Sequence, residues 1–418
     1  MRKTRLAATT AIGAAGLLAL TACGGGSGFD DSDGGSTGDS GGSGGLDILI
    51  GSSGDAETDA VTAAVAAWSE ESGIDATVRV ASDLNQELSQ GFASGDPADV
   101  FYTSADSFQS YAANGSLYPY GDQLDAADDF YPSLVEQFSY DGDLVCAPKD
   151  FSTLALLINN DAWTAAGLTD ADIPTTWEQL SDVAAKLTTG EQTGLAFSGE
   201  YARVGAFLAQ AGGTMTNADG TEATVDSAEN VEGLTYVQEL LNSGNAAYAA
   251  GLGTGWGGEA FGTGKAAMTI EGNWITGAMT NDYPDIDYRV VELPAGPAGQ
   301  GTLQFTNCWG VAADSSQQSD AVDLVNYLTA TDQQLGFAEA FGVMPSVQSA
   351  ADGWRELYPD QAAFIDSAAF AQNVVNAQGA SDVITDFNAQ LEGLATGDPQ
   401  SILSSVQTNL QAVLDQNN

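Results

Sequence analysis

Short apolar runs alternate with amphipathic stretches from residue 46 to about residue 310, and this alternation predicts layers of strand and helix. Runs at 46–50, 76–80, 99–102, 154–158, 194–197, 266–270 and 288–293 have the length of strands. Between them Val61, Val65 and Trp68 recur at helical spacing, as do Leu180, Val183 and Leu187, and then Leu234, Val237 and Leu241. Strands separated by helices pair in largely parallel sheets, because a crossover must carry the chain back before the next strand begins. The pattern changes near residue 320. Val322, Val325 and Leu328, then Phe364 and Phe370, then Ile402, Val406, Leu410 and Val413 keep helical spacing with few strand runs between, so 320–418 is expected to be mostly helical. No fixed-period repeat is evident.

Size divides this α/β expectation into parts. The 418 residues exceed the length at which one core stops growing, roughly 250 to 300, so two folding units are expected. With 43% apolar and 9% aromatic residues, there is material to fill both.

Charge and residue types then exclude whole classes of function. The chain carries 57 acidic against 10 basic residues, a formal net charge of −47, and nucleic acid is not an expected partner because phosphate binding needs clustered Lys and Arg. There is no histidine. Ser-His-Asp and Cys-His catalytic pairs are therefore excluded, as is the commonest transition-metal ligand, and no metal or cofactor is expected. Hydrolysis by paired carboxylates, for instance Glu200 with Asp150 in an extracellular carbohydrate-active enzyme, stays open as an alternative. Lys265 beside Gly262 and Gly264 does not make a phosphate loop, since Glu259 stands where the first Gly belongs and Ala266 where Ser or Thr belongs.

Residues 1–23 read as a processing segment: Arg2, Lys3 and Arg5 precede an apolar stretch from Ala7 to Leu20, which is short beside the about 20 residues of a spanning helix. It ends in Leu20-Thr21-Ala22-Cys23, which resembles a bacterial lipobox and implies cleavage before Cys23 with lipid on its sulfur. Residues 24–45 are almost entirely Gly, Ser and Asp, a flexible linker reaching on the order of 25 Å. The chain is thus expected on the extracellular face of the membrane, held by a lipid anchor. There, Cys146 and Cys308 can form a disulfide or stay as two buried thiols; their spacing leaves both open.

Phe261-x-x-Gly264-Lys265-Ala266-Ala267-Met268, Gly95-Asp96-Pro97-Ala98-Asp99-Val100-Phe101 and several further phrases together resemble the sugar-type, maltose-binding-protein-like solute-binding proteins of ABC importers. The most specific is Phe261-x-x-Gly264-Lys265-Ala266-Ala267-Met268-x-x-x-Gly272-x-Trp274. Gly95-Asp96-Pro97-Ala98-Asp99-Val100-Phe101 is similar to the family's strand entry, with one residue fewer between Gly95 and Pro97. Ala147-Pro148-Lys149-Asp150, Asn159-Asn160-Asp161, Pro174-Thr175-Thr176-Trp177 and Gly342-Val343-Met344-Pro345-Ser346 follow in the family's order. The resemblance implies a two-lobed, type II periplasmic-binding-protein-like α/β fold with a hinge and an interlobe ligand cleft. Crossings near Ser152, Gly301 and Thr331 would assign 46–152 plus 301–331 to the first lobe, and 153–300 plus 332–418 to the second. It further implies a monomer that captures a sugar and delivers it to permease subunits in the membrane, without catalysis.

A sugar presents apolar CH faces and a ring of hydroxyls, so its site needs flat aromatic rings flanked by carboxylates, amides and Arg. The family places a stacking Trp after the same Gly, which implies that role for Trp274. Glu200, Tyr201 and Arg203 follow the strand at 194–197 at the spacing of the family's ligand-binding Glu. Tyr102 and Asp106 follow the strand at 99–102, where the first lobe carries contacts, although a carboxylate replaces the maltose-binding protein's Arg. Asp150 and Phe151 at the first crossing, Trp256 and Glu259 before the signature phrase, Trp309 at the second crossing and Met344 in a late loop are further candidates. Each has an alternative as hinge or core packing. Ser53 and Asp55, after the first strand, either cap a helix or reach the cleft.

Overall fold

A computed structural model describes residues 44–417. The processing segment, Cys23 and the linker up to residue 43 lie outside the described residues. The strands are β1 (Leu46–Ile50), β2 (Ala76–Val80), β3 (Val100–Ser104), β4 (Ser139–Tyr140), β5 (Asp143–Leu144), β6 (Ala147–Asn159), β7 (Thr193–Phe197), β8 (Ala246–Tyr248), β9 (Ala266–Gly272), β10 (Tyr288–Val291), β11 (Thr302–Val311), β12 (Met344–Pro345) and β13 (Ala371–Asn373). The main path through the sheet runs β2-β1-β3-β11-β6-β9-β7-β8. At one end β1 is parallel to β2 and β3, and at the other β7 is parallel to β8 and β9. Between them β6 and β11 lie antiparallel to one another, from Gln304 opposite Thr153 to Trp309 opposite Ala147.

These two central strands join the ends because β6 changes partners along its length. Its first half lies beside β11, whereas Leu154 to Ile158 pair with β9 and, on the other edge, Leu156 to Asn159 pair with β10. The 154–158 run is therefore only the second half of a 13-residue strand. Its first half was masked in the sequence by Lys149 and Asp150, which are buried as an ion pair instead of facing solvent. Strand β11 was missed altogether, because Gln304, Thr306 and Asn307 interrupt its apolar residues. Parallel strands separated by helices occur at both ends, as the periodicity predicts.

Two large cores flank the central strands. One gathers Ile48, Ile50, Val61, Trp68, Val100 and Trp309 around β1, β3 and β11. The other gathers Leu156, Leu195, Phe207, Leu234, Met268 and Leu410 around β6, β9 and β7. Beyond residue 317 the chain is mostly helical, with β12 and β13 as short exceptions. Helix Thr331–Phe341 follows the crossing expected near Thr331, yet Phe337 joins the first core and the helix packs on helix Asp55–Ser72. Helices Ala380–Leu391 and Pro399–Asn417 supply Phe387, Leu391, Leu403 and Leu410 to the second core. Cys146 and Cys308 are joined in a buried disulfide that ties the start of β6 to β11, with the Cα atoms 5.7 Å apart.

Candidate functional site

Strand β9 ends at Glu271-Gly272, and the chain turns through Asn273 and Trp274 into helix Ile275–Asn281. The turn requires glycine: a Cβ on Gly272 would lie 2.2 Å from the Trp274 ring, so the indole crosses bare backbone. Trp274 is 39% exposed, whereas most large apolar side chains of the described residues are buried. The edge of Phe305, from β11, meets it at a centroid separation of 5.4 Å. The Arg203 guanidinium lies 5.1 Å from the ring centroid.

Beneath the indole is a buried charge cluster. Glu200 occupies the N-cap position of helix Tyr201–Gln210, and Arg203 follows one turn later. Arg203 donates from Nε and Nη2 to Glu271 Oε2, at 3.1 and 2.5 Å, and from Nη1 to Glu200 Oε1, at 3.0 Å. Trp274 Nε1 donates to the same Glu271 Oε2 at 3.1 Å. Glu271 is fully buried, and burial pushes its carboxyl above the usual range although Arg203 and the indole pull the other way. Arg203, 8% exposed, is consumed by this pairing.

Phe305 connects Trp274 to a cavity of about 300 Å³ whose walls come from distant parts of the chain. Asp106, on helix Ala105–Ala113, lines it together with Tyr201, Ala202, Ile384, Thr385 and Asn388. Asp106 is exposed, and partial desolvation raises its carboxyl above the ordinary value. The Tyr201 ring is buried against Phe387, while its backbone N–H donates to Asn388 Oδ1 at 2.7 Å. The helix bearing Ile384, Thr385 and Asn388 did not figure among the candidates. A signal was present, since Ser381, Thr385 and Asn388 form a polar stripe at helical spacing beside buried Val383, Phe387 and Leu391.

A second charge cluster lies at the first-core end of β6. Lys149 Nζ lies 2.8 Å from Glu57 Oε1 and also pairs closely with Asp150 Oδ2. The Tyr102 hydroxyl donates to Glu57 Oε1 at 3.0 Å, and Ser53 donates from its backbone N and its hydroxyl to Oε2 at 2.8 and 2.6 Å. The ammonium stands 4.5 Å from the Tyr102 ring centroid and 5.5 Å from that of Phe341. Burial opposes ionisation of Glu57, but Lys149 and the Ser53 bonds outweigh it and hold the carboxyl below its usual value. Burial likewise disfavours the Lys149 cation, yet Asp150, Tyr102 and Glu57 raise its pKa on balance. Asp150 is shifted upward, chiefly by burial.

The structure therefore sorts the candidates. Glu200, Arg203 and Trp274 converge on one wall, and Asp106 lines the adjoining cavity with Tyr201. Tyr102, Asp150 and Ser53 belong to the Lys149 cluster. Asp55 is the exposed first residue of its helix, whose N-cap Gly54 has no side-chain cap. Phe151, Trp309 and Met344 are core residues: Phe151 packs on Tyr131 at 5.0 Å, Trp309 on Tyr102 at 4.7 Å, and all three are at most 1% exposed. Trp256 packs half-buried on the core that contains Phe261 and Trp354, and Glu259 accepts from the Gly255 N–H at 2.7 Å to tie its own loop. Among the described residues no group of carboxylates and thiols is arranged to hold a metal ion, and no helix is long and apolar enough to cross a membrane.

The sequence pattern of the family described as bacterial extracellular solute-binding protein matches residues 63–371. A Brucella abortus (strain 2308) protein named for a binding role is 24% identical over 350 residues, covering 79% of this chain and 83% of that protein. The sn-glycerol-3-phosphate-binding periplasmic protein of Escherichia coli (strain K12) is 26% identical over 254 residues, covering 56% of this chain and 57% of that protein. Among solved structures, the cyclic alpha-maltosyl-1,6-maltose binding protein from Arthrobacter globiformis superposes with a TM-score of 0.78 at 22% identity, covering 89% of this chain and 99% of that one. The fold is thus the two-lobed periplasmic-binding-protein-like α/β fold, with the hinge and cleft that this architecture entails. The chain belongs to the bacterial extracellular solute-binding proteins, a family that binds its solute and does not transform it.

Proposed function

We propose that this chain captures an uncharged sugar or short oligosaccharide between its lobes and passes it to the membrane permease of an ABC importer. The observation that carries this reading is the exposed Trp274 face, set beside Phe305 and a cavity edged by Asp106, Thr385 and Asn388. An aromatic face suits the CH surface of a sugar ring, and amide, hydroxyl and carboxylate groups at its rim suit the hydroxyls. The Arthrobacter globiformis protein, described as binding a cyclic maltosaccharide, agrees with that chemistry. Solute that touches both lobes favours the closed arrangement, so capture is a shift of population and needs no covalent step. Acyl chains on Cys23 would keep the protein at the outer face of the membrane, with residues 24–45 as tether.

We divide the lobes by core packing. The first takes 46–152, 301–331 and also the segment 332–350, because Phe337, Val347 and Ala350 belong to the first core. The second takes 153–300 and the chain from about residue 351, where Trp354 and Phe364 join Leu157 and Phe261.

The Escherichia coli relative, named for sn-glycerol 3-phosphate, suggests an anionic solute as a second reading. Two buried cations of this chain are already engaged: Arg203 by Glu271 and Glu200, and Lys149 by Glu57 and Asp150. With two carboxylates around each cation, neither cluster offers a free positive charge to a phosphate, which favours an uncharged solute. Titration calorimetry against mono- and disaccharides, with sn-glycerol 3-phosphate alongside, tests this directly. Saturable binding of a neutral sugar is expected; binding of the phosphate alone would reverse the assignment.

A further inference from the structure

We propose that Glu271 is a positioning residue that fixes the Trp274 indole as a rigid face and at the same time keeps Arg203 away from the solute. The inference rests on the reading that Trp274 faces the solute. Three donors converge on one oxygen, Glu271 Oε2: Arg203 Nε, Arg203 Nη2 and Trp274 Nε1, at 3.1, 2.5 and 3.1 Å. Such a crowded acceptor calls for a full negative charge, because a neutral amide there would turn an NH₂ or a weaker carbonyl toward the guanidinium. Among the described residues the other oxygen, Oε1, is buried and accepts no hydrogen bond. A Cβ on Gly257 would come within 2.7 Å of it, so the space around Oε1 is closed by bare backbone. Glu271 thus directs its accepting capacity to the indole and the guanidinium.

The consequence for the site is preorganisation. An indole lying across Gly272 and flanked by the Phe305 edge has its N–H as the one polar handle that sets its rotation. Glu271 holds that handle at the ring edge, in the plane of the indole, while 39% of Trp274 stays exposed. A rigid ring loses little freedom when solute stacks on it. Arg203 contributes through Glu271 and through the ring, 5.1 Å from its centroid, rather than through a direct solute contact.

The test is a proton–nitrogen correlation spectrum of the full chain, in which the Trp274 indole resonance is assigned by its loss in Trp274→Phe. A hydrogen bond to a carboxylate draws the proton downfield and slows its exchange, and it is roughly twice as strong as one to a neutral acceptor. In Glu271→Gln the resonance is expected to move upfield and exchange about tenfold faster, yet stay single because one acceptor remains. Glu271→Leu removes the acceptor and is expected to split or broaden it. Should the leucine variant fail to fold, the glutamine variant, equal in size, still decides. An indole resonance unmoved in Glu271→Gln overturns the positioning role, whatever Trp274 does for maltose, the neutral probe. A moved resonance combined with maltose or other disaccharide affinity indifferent to Trp274→Ala keeps Glu271 as anchor of the indole and overturns the solute-facing role instead.

Discussion

Lys149 Nζ and Glu57 Oε1 are 2.8 Å apart in the interior, joining β6 to the first turn of helix Asp55–Ser72 across 92 residues of sequence. Neither side chain is more than 6% exposed, and the pair, with Asp150 and Ser53 beside it, favours the ionised forms of both against burial. Glu57→Gln leaves Lys149 with Asp150 as its carboxylate partner and weakens the acceptor of the Tyr102 and Ser53 bonds, and it is expected to cost about 1–3 kcal/mol in chemical unfolding.

The same pair predicts a pH dependence of defined sign. The folded-state pKa of Glu57 lies below its unfolded value, so its contribution is full above about pH 4.3 and is lost as pH falls through the lower, folded value. The melting-temperature gap between the native chain and Glu57→Gln should therefore be widest near neutrality and close in acid. A gap that widened in acid would contradict the pairing.

Trp309 separates core from site. It is fully buried against Tyr102, so Trp309→Ala should destabilise the fold by about 3–5 kcal/mol while folded protein keeps its affinity for solute. Trp274→Ala should do the reverse, since 39% of that residue already faces solvent. Thermal unfolding and calorimetry on both variants check the contrast.

Gly272→Ala places a methyl group 2.2 Å from the Trp274 ring. The ring must swing away, and solute affinity should fall about tenfold or more with little loss of stability, as calorimetry paired with thermal unfolding would show.

The Cys146–Cys308 bond spans 162 residues of sequence and fastens the two central strands. Replacing both by Ala should cost about 5 kcal/mol in the chain-entropy picture. Denaturant midpoints for the double variant and for the native chain under reducing conditions should fall together.

The alternating strands and helices were legible because apolar periodicity reports burial directly, and Val61, Leu180 and Leu234 all sit in cores. The long central strands were not, because Lys149, Asp150, Gln304 and Thr306 read as solvent-facing until their partners are in place. At the site, Trp274 was singled out by the resemblance, in a phrase whose Gly272 lies against its ring. Glu271 was hidden inside an apolar strand, and Asn388 lies 187 residues from the Tyr201 N–H that it accepts. Phe151, Trp309 and Met344 had the right chemistry for a cleft, but they lie in strand stretches covered on both faces.

The central claim is that an uncharged sugar is held, unaltered, against Trp274. Titration calorimetry of the native chain and Trp274→Ala with neutral disaccharides, followed by recovery of the sugar, tests it most directly. Saturable binding to the native chain is expected, with affinity at least about tenfold weaker in Trp274→Ala and the sugar recovered intact. Equal affinity in both chains, or a solute returned chemically changed, would contradict it.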